Sequence, residues 1–380
     1  TLLMTRRGIH HLPVLEEGKL VGVVTTSDMI LARQDDPVYL VQHISRQGDA
    51  PGIAALLQGL PNLLVQWVNS GIRAREVSGI LTAISDAVTV RLIQLAQEEL
   101  GPAPAAWCWV GFGSQARGEQ LLGADQDNGI IVSDDCPEDQ LGYFAELARR
   151  VCDGLDSCGY RYCPGEVMAT NPLWRLPLSQ WRDTVVKWTV APTPDAVMRV
   201  SIFFDLRAVH GDSSLCEALQ DTMLEQAGKN TIFQAALAAS ALENRPPLGI
   251  FRRFVVDRNG DHADELDLKK RGVLPVTEIV RLHALANGIR AVNTSERLDA
   301  LAAQRALTLV DSRNLADALH FIQQRRVKHQ CEQILAGGKV GNFLNPRDLP
   351  KMAREQLRDA FTIIDEAQQA VRQRYRAGMG

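Results

Sequence analysis

"GFGSQARGEQLLGADQDNGIIV", residues 111–132, is the stretch on which the reading of this chain turns. It opens with Gly111, Gly113 and Ser114, continues through Arg117 and Glu119, places Asp125 and Asp127 one residue apart, and closes on the apolar run 129–132. Two like charges this close repel, and leaving them unpaired at the mouth of a buried strand is costly. Something positive is expected between them. On an extended backbone residues i and i+2 project to one side, so the two aspartates present paired carboxylates to a hard divalent cation, Mg2+ or Mn2+.

The flanking sequence supplies a frame. "WCWVGF" (107–112) and "NGIIV" (128–132) are short apolar runs bounded by turn residues, the pattern of buried strands. "DQLGYFAELARRVCDGL" (139–155) is amphipathic and helical. "AVMRVSIFFDLRAV" (196–209) alternates, with Met198, Val200, Ile202 and Phe204 on one face. Read as a third strand, it ends near Asp205 and supplies a third carboxylate. Three such groups hold two Mg2+ about 4 Å apart, the arrangement that clamps an in-line phosphoryl or nucleotidyl transfer. Gly111 and Gly113 permit close backbone approach, and the Ser114 hydroxyl with neighbouring amides suits a phosphate at a helix start. Arg117, one turn on, either faces those phosphates or pairs with Glu119 or an aspartate.

A lone D-x-D is weak, as is a lone G-x-G-S. Their combination across one short helix, between apolar strands, is far more specific than a solvated turn with capping aspartates.

Further out, residues 36–104 carry apolar residues at helical spacing until the glycine-proline stretch 101–106. From about 229 to 380 the pattern is helical again. "EQLRDAFTIIDEAQQAVRQRY" puts Leu357, Phe361, Ile364, Ala367 and Val371 on one stripe, and Ser312 is a plausible cap for the helix after it. Residues 9–35 read as strand, turn at Gly18, strand and helix, with Thr26 or Ser27 as the cap. The expected fold is α+β: a mixed sheet with helices (105–228), preceded by a helical segment (36–104) and followed by a helical bundle.

The chain has 380 residues, room for several cores, with 46% hydrophobic and 23% charged residues, an ordinary globular balance. A net charge of −4 argues against general nucleic-acid binding. No run of 18 apolar residues and no signal-peptide pattern occur, so a cytoplasmic protein without a membrane span is expected. The chain begins at Thr1, and we read it as part of a longer protein. Seven cysteines without a C-x-x-C read as reduced thiols. His10, His11 and His210 read as structural, and "DHADELD" (261–267) as an acidic loop. No H-x-x-x-H appears. Lys269, Lys270 and Arg271, like Arg325, Arg326 and Lys328, are either solvated faces or contacts to a substrate phosphate. Asn171, Trp174 and Trp181 either wall a cleft or pack the core.

The order Gly-Ser, D-x-D, later Asp resembles the nucleotidyltransferase superfamily with the polymerase-β-type fold. "GSQARGEQLLGADQDNGIIV" is more narrowly similar to bacterial CBS-linked nucleotidyltransferases, relatives of the protein uridylyl- and adenylyltransferases of nitrogen signalling. "MATNPLWRLPLSQW" (168–181) and "IFFDLRAVHGD" (202–212) extend the likeness. "LDLKKRGVLPVTEIVRLHAL" (266–285) and "NFLNPRDLPKMAREQLRDAF" (342–361) resemble the family's substrate-binding helical domain. The resemblance implies an enzyme with Asp125, Asp127 and Asp205 as metal ligands and catalytic carboxylates, and with Gly113 and Ser114 on the triphosphate. It implies an NTP substrate, a protein acceptor and a signalling role, with a non-catalytic nucleotide-binding module as the alternative. Ala124 departs from the Thr or Ser usual before the first aspartate. "GIHHLPVLEEGKLVGVVTTSDMI" (8–30) resembles the second half of a CBS motif, within residues 1–35, with Thr25 and Asp28 where adenosine ligands are touched; such proteins often form homodimers.

Overall fold

The computed structural model describes residues 9, 11–16, 18–25, 37–249, 253–256 and 262–375. Strands β1 (His11–Glu16) and β2 (Lys19–Thr25) form an antiparallel hairpin turning at Gly18, whose φ of +79° suits glycine. His10, Thr26, Ser27 and Asp28 lie outside the described residues.

Four helices follow: α1 (Pro37–Ile44), α2 (Ala50–Leu57), α3 (Leu60–Asn69) and α4 (Ala74–Leu100). Among the described residues α4 is long and apolar enough to cross a membrane, although its apolar residues are interrupted by polar ones. In this fold α4 is a core helix. Val77, Leu81, Ile84, Val88 and Ile93 are buried, and Thr82 and Thr89 return their hydroxyls to the Ser78 and Ser85 carbonyls.

The central sheet has the order β5-β4-β3-β6, with β3 Trp107–Phe112, β4 Asn128–Val132, β5 Arg175–Pro177 and β6 Leu206–Gly211. β3 is antiparallel to both β4 and β6, and β4 is parallel to β5. The unbroken apolar run of β3 has a simple cause. Cys108, Val110 and Phe112 enter one core and Trp107 and Trp109 the other, so both faces of the strand are buried. One core joins the sheet to α1–α4 and to α6 (Leu141–Ser157), which follows the single-turn helix α5 (Gly113–Ala116). The other joins it to α7 (Leu178–Val190), α8 (Pro194–Phe203), α9 (Ser213–Lys229) and the C-terminal helices. Trp174 and Trp181 are buried there, 6.0 Å apart, as core residues.

The expected third strand is corrected. Residues 194–203 are helical: Thr193 caps Ala196 N–H, Pro194 occupies the first turn, and Val197, Val200 and Phe203 fall inward at helical spacing. The strand is β6, and Asp205 precedes it.

The C-terminal half contains α10 (Thr231–Ala241), the short strand β7 (Leu266–Asp267), a π-helical turn at Lys269–Val273, α11 (Leu274–Ala286), α12 (Thr294–Ala303), α13 (Leu309–Leu335), β8 (Phe343–Leu344) and α14 (Lys351–Arg374). Leu357, Phe361, Ile364 and Val371 form the expected inward stripe. Ser312 is not a cap. Thr308 caps α13, and Ser312 sits a turn inside, donating to the Leu298 carbonyl. The "DHADELD" stretch ends in β7 rather than continuing as loop.

Gly211 closes β6 at φ +93°, and a Cβ there would stand 2.2 Å from the Trp107 carbonyl oxygen. Gly211→Ala is therefore expected to cost about 2 kcal/mol or more, read as a lower urea midpoint at unchanged slope.

Candidate active site

The site starts where β3 stops. Phe112 N–H donates to the Asp127 carbonyl (2.9 Å), and Gly113 N–H donates to the Asp205 carbonyl (3.1 Å). Gly113 turns through φ +54° into α5. Its amide is thus occupied, while no hydrogen bond is seen for the half-buried Ser114 hydroxyl.

Asp125 and Asp127 lie on the extended lead-in to β4 rather than in the strand. Gln126 N–H donates to the Arg161 carbonyl and Asn128 N–H to the Val167 carbonyl. Gln126 faces inward, its amide donating to the Cys152 and Tyr160 carbonyls. With Gln126 held inside, the i, i+2 rule sends Asp125 and Asp127 out together. Arg161 pairs with one of the two, Asp125, at 3.0 Å on the surface, rather than standing between them. Asp127 is half-buried beside Gly113, where a Cβ would stand 3.4 Å from Oδ2. Burial pushes Asp127 up to about 6, against the Cys163 thiol hydrogen bond and the Lys269 charge, which pull it down.

One cation, Lys269, acts on this pair, and Arg326 is next to Lys269. Asp267 starts the π-helical turn by accepting the amides of Lys269 and Lys270. Lys269 reaches solvent. Desolvation, then the neighbouring Arg326, lowers its pKa, while Asp127 and Asp125 raise it. Arg326 is buried, and its Nε and Nη2 donate to Asn342 Oδ1 at 3.1 and 2.7 Å. Desolvation pushes it down to about 10. Among the described residues neither cation has a carboxylate within ion-pair distance. Lys269, read from sequence as ambiguous, is thus coupled to the aspartate pair, and Arg326 to Lys269.

Asp205 is elsewhere. Its Oδ2 accepts from Arg117 and Arg281 and its Oδ1 from Arg297, each at 2.6 Å, and the carboxylate is fully buried. Burial alone would raise its pKa. Arg281, Arg297 and Arg117 overcome that and hold it well below the usual carboxylate range. Arg117 also binds Glu119 (2.8 Å), and Glu119 accepts Thr294 N–H. Of the two readings of Arg117, pairing is the one the structure adopts. The expected convergence of Asp125, Asp127 and Asp205 is not formed: among the described residues no three His, Cys, Asp or Glu side chains come together as a metal cage. Although the Asp205 carbonyl meets Gly113 N–H, both its side-chain oxygens are taken by arginines.

Sequence reasoning missed Arg281 and Arg297. A signal for Arg281 was present: it stands in a largely apolar helix beside Thr277, Glu278 and His283, and residues 275–285 are all buried. A buried arginine needs a partner. His210 packs against Trp107 at 5.8 Å, and burial lowers its pKa, in keeping with a structural role. Asn171 caps a turn by accepting Leu173 N–H.

Three family models match the chain. Residues 58–195 match the model described as "Putative nucleotidyltransferase DUF294". Residues 231–375 match "Putative nucleotidyltransferase substrate binding domain", and residues 2–35 match the CBS domain. The first match begins inside the helical segment and ends ahead of Asp205. No curated protein matches the chain significantly. The chain belongs to the DUF294 nucleotidyltransferase family, with that family's substrate-binding domain as its C-terminal half and a CBS-domain match at its start.

Proposed function

We propose that this chain is a magnesium-dependent nucleotidyltransferase that moves a nucleoside monophosphate from an NTP to an acceptor hydroxyl on a protein, releasing pyrophosphate, in cytoplasmic signal transduction. One observation carries the reading: the paired carboxylates Asp125 and Asp127 share their surroundings with Lys269, which among the described residues has no carboxylate within ion-pair distance, and Arg326 adds a second positive charge next to Lys269. A metal-bound triphosphate is complementary to both at once.

The donor set suits Mg2+ or Mn2+. Magnesium takes one or two protein carboxylates and fills its remaining positions with water and phosphate oxygens. Asp125 and Asp127 would hold it, and it would neutralise and orient the phosphates. Lys269 and Arg326 would take the outer phosphate oxygens, Lys269 as a point charge and Arg326 through its free guanidinium edge. The Ser114 hydroxyl is available to donate to the same group. Gly113 leaves room for Asp127 rather than lending its amide. Asp205 fixes the arginine cluster behind this wall. The C-terminal helices would hold the acceptor. Seven free thiols suit a reducing compartment.

The engagement of both Asp205 oxygens favours a second reading, a nucleotide-binding signalling module without turnover. Titration of the four NTPs with and without Mg2+, beside a pyrophosphate-release assay in cell extract, separates the two. Magnesium-dependent binding of one NTP is expected, weakened at least about ten-fold in Lys269→Ala. Binding without pyrophosphate release supports the second reading. No binding of any NTP refutes both.

A further inference from the structure

A groove of about 620 Å³ lies between α8, α10 and the start of α11, and neither Asp125 nor Asp127 lines it. We propose that it binds a cationic alkyl group: an ammonium or guanidinium on a short hydrocarbon stem, carried by a lysine or arginine side chain or by a free amine. This site is separate from the nucleotide cleft and does not depend on the reading given above.

The walls are apolar, formed by Pro194, Val197, Met198, Ala236 and Leu274. Such a surface takes an alkyl stem. The polar groups that line it are chosen by sign. Asp195, Glu243 and Glu278 contribute three carboxylates, and among the described residues no Lys, Arg or His lines the groove. Glu278 is the decisive one. It is only 8% exposed, and its Oε2 has no hydrogen-bond partner. A buried carboxylate left this incomplete is costly. Arg281, one turn on, donates its Nη2 to Asp205 and does not reach Glu278 within ion-pair distance, its buried Nε being itself without a partner, and Arg199 pairs with Asp195 at the surface. An incoming cation would complete Glu278 and cover the apolar walls.

The same geometry gives a pH dependence. Burial pushes Glu278 up to about 7. Arg281 on its own helix, the Asn244 amide and the more distant Arg117 favour its ionised form, and Glu243 opposes it. A cation favours the carboxylate, so binding expels a proton and tightens as pH rises through about 7.

The test is calorimetric titration of the full chain, without nucleotide, using agmatine and a blocked pentapeptide with one central arginine. Glu278→Gln and Met198→Trp are run alongside, with circular dichroism to verify folding. Met198 is 56% exposed, so its replacement fills the groove without disturbing the core. Saturable binding is expected, about ten-fold weaker in Glu278→Gln, abolished in Met198→Trp, and several-fold tighter at about pH 8 than at about pH 6. Tighter binding of the peptide assigns the groove to a polypeptide side chain, and tighter binding of agmatine to a free amine. No saturable binding of either probe, or equal binding in both variants and the parent, overturns the proposal.

Discussion

Asp205→Ala is expected to be the most damaging single substitution in the chain, lowering stability by about 3–5 kcal/mol or preventing folding. The carboxylate is inaccessible and is the shared acceptor of Arg117, Arg281 and Arg297. Without it, three buried guanidinium groups face one another with Glu119 as the nearest compensation, through Arg117 alone. Breaking a buried ionic cluster by removing one partner costs far more than the cluster contributes net, because the charges left behind stay desolvated. Asp205→Asn keeps the shape and should still lose most of this stability. Because Asp205 is held below the ordinary carboxylate range, its contribution is complete above the unfolded value of about 3.9 and is lost as pH falls toward the folded one. Urea unfolding from neutral pH to about pH 3 should show a steep acid loss in the parent chain and a shallower one in Asp205→Asn. A folded, equally stable Asp205→Asn that lacked only nucleotide binding would return Asp205 to the ligand role expected from sequence.

That contrast marks where sequence reading works and where it stops. The frame of the site was legible because its signals are local. Trp107–Phe112 and Asn128–Val132 are apolar runs cut by turn residues, and they form the central strands. The i, i+2 spacing of Asp125 and Asp127 puts them on one side even though they lie ahead of the strand, because Gln126 is tied inward. Residues 194–203 failed for an equally local reason. Apolar residues at 196, 197, 200, 202, 203 and 204 satisfy both periods over so short a run. The cap at Thr193 and Pro194 settles it as helix. The arginine cluster is different in kind. Its partners are 76 to 92 residues apart, and no pattern along the chain records which charge meets which across that distance. Lys269 and Arg326 likewise stay open between a solvated face and a phosphate contact until Asp267 and Asn342 fix the elements that carry them.

Asp127→Asn should separate function from stability by moving them in opposite directions. Burial raises the Asp127 carboxyl to about 6, above its unfolded value near 3.9. The folded state therefore binds the extra proton between these values, and stability falls as pH rises from about 4 to about 6, because an ionised group must then be kept where water is scarce. An amide of the same shape carries no charge to desolvate. At neutral pH Asp127→Asn is expected to raise stability by about 1 kcal/mol, after the screening that partial exposure provides. The same change removes one of two carboxylates available to a divalent cation, and magnesium-dependent NTP binding should fall by about a hundred-fold or more. In the parent chain that binding should strengthen as pH rises through about 6, since the metal competes with the proton for Asp127. A chain that became more stable yet bound nucleotide as before would show Asp127 to be a strained structural residue. One that lost both would place it among the groups that hold β3 and β4 together. Gain of stability with loss of magnesium-dependent binding is the signature of a carboxylate kept in an unfavourable place because the ligand requires it.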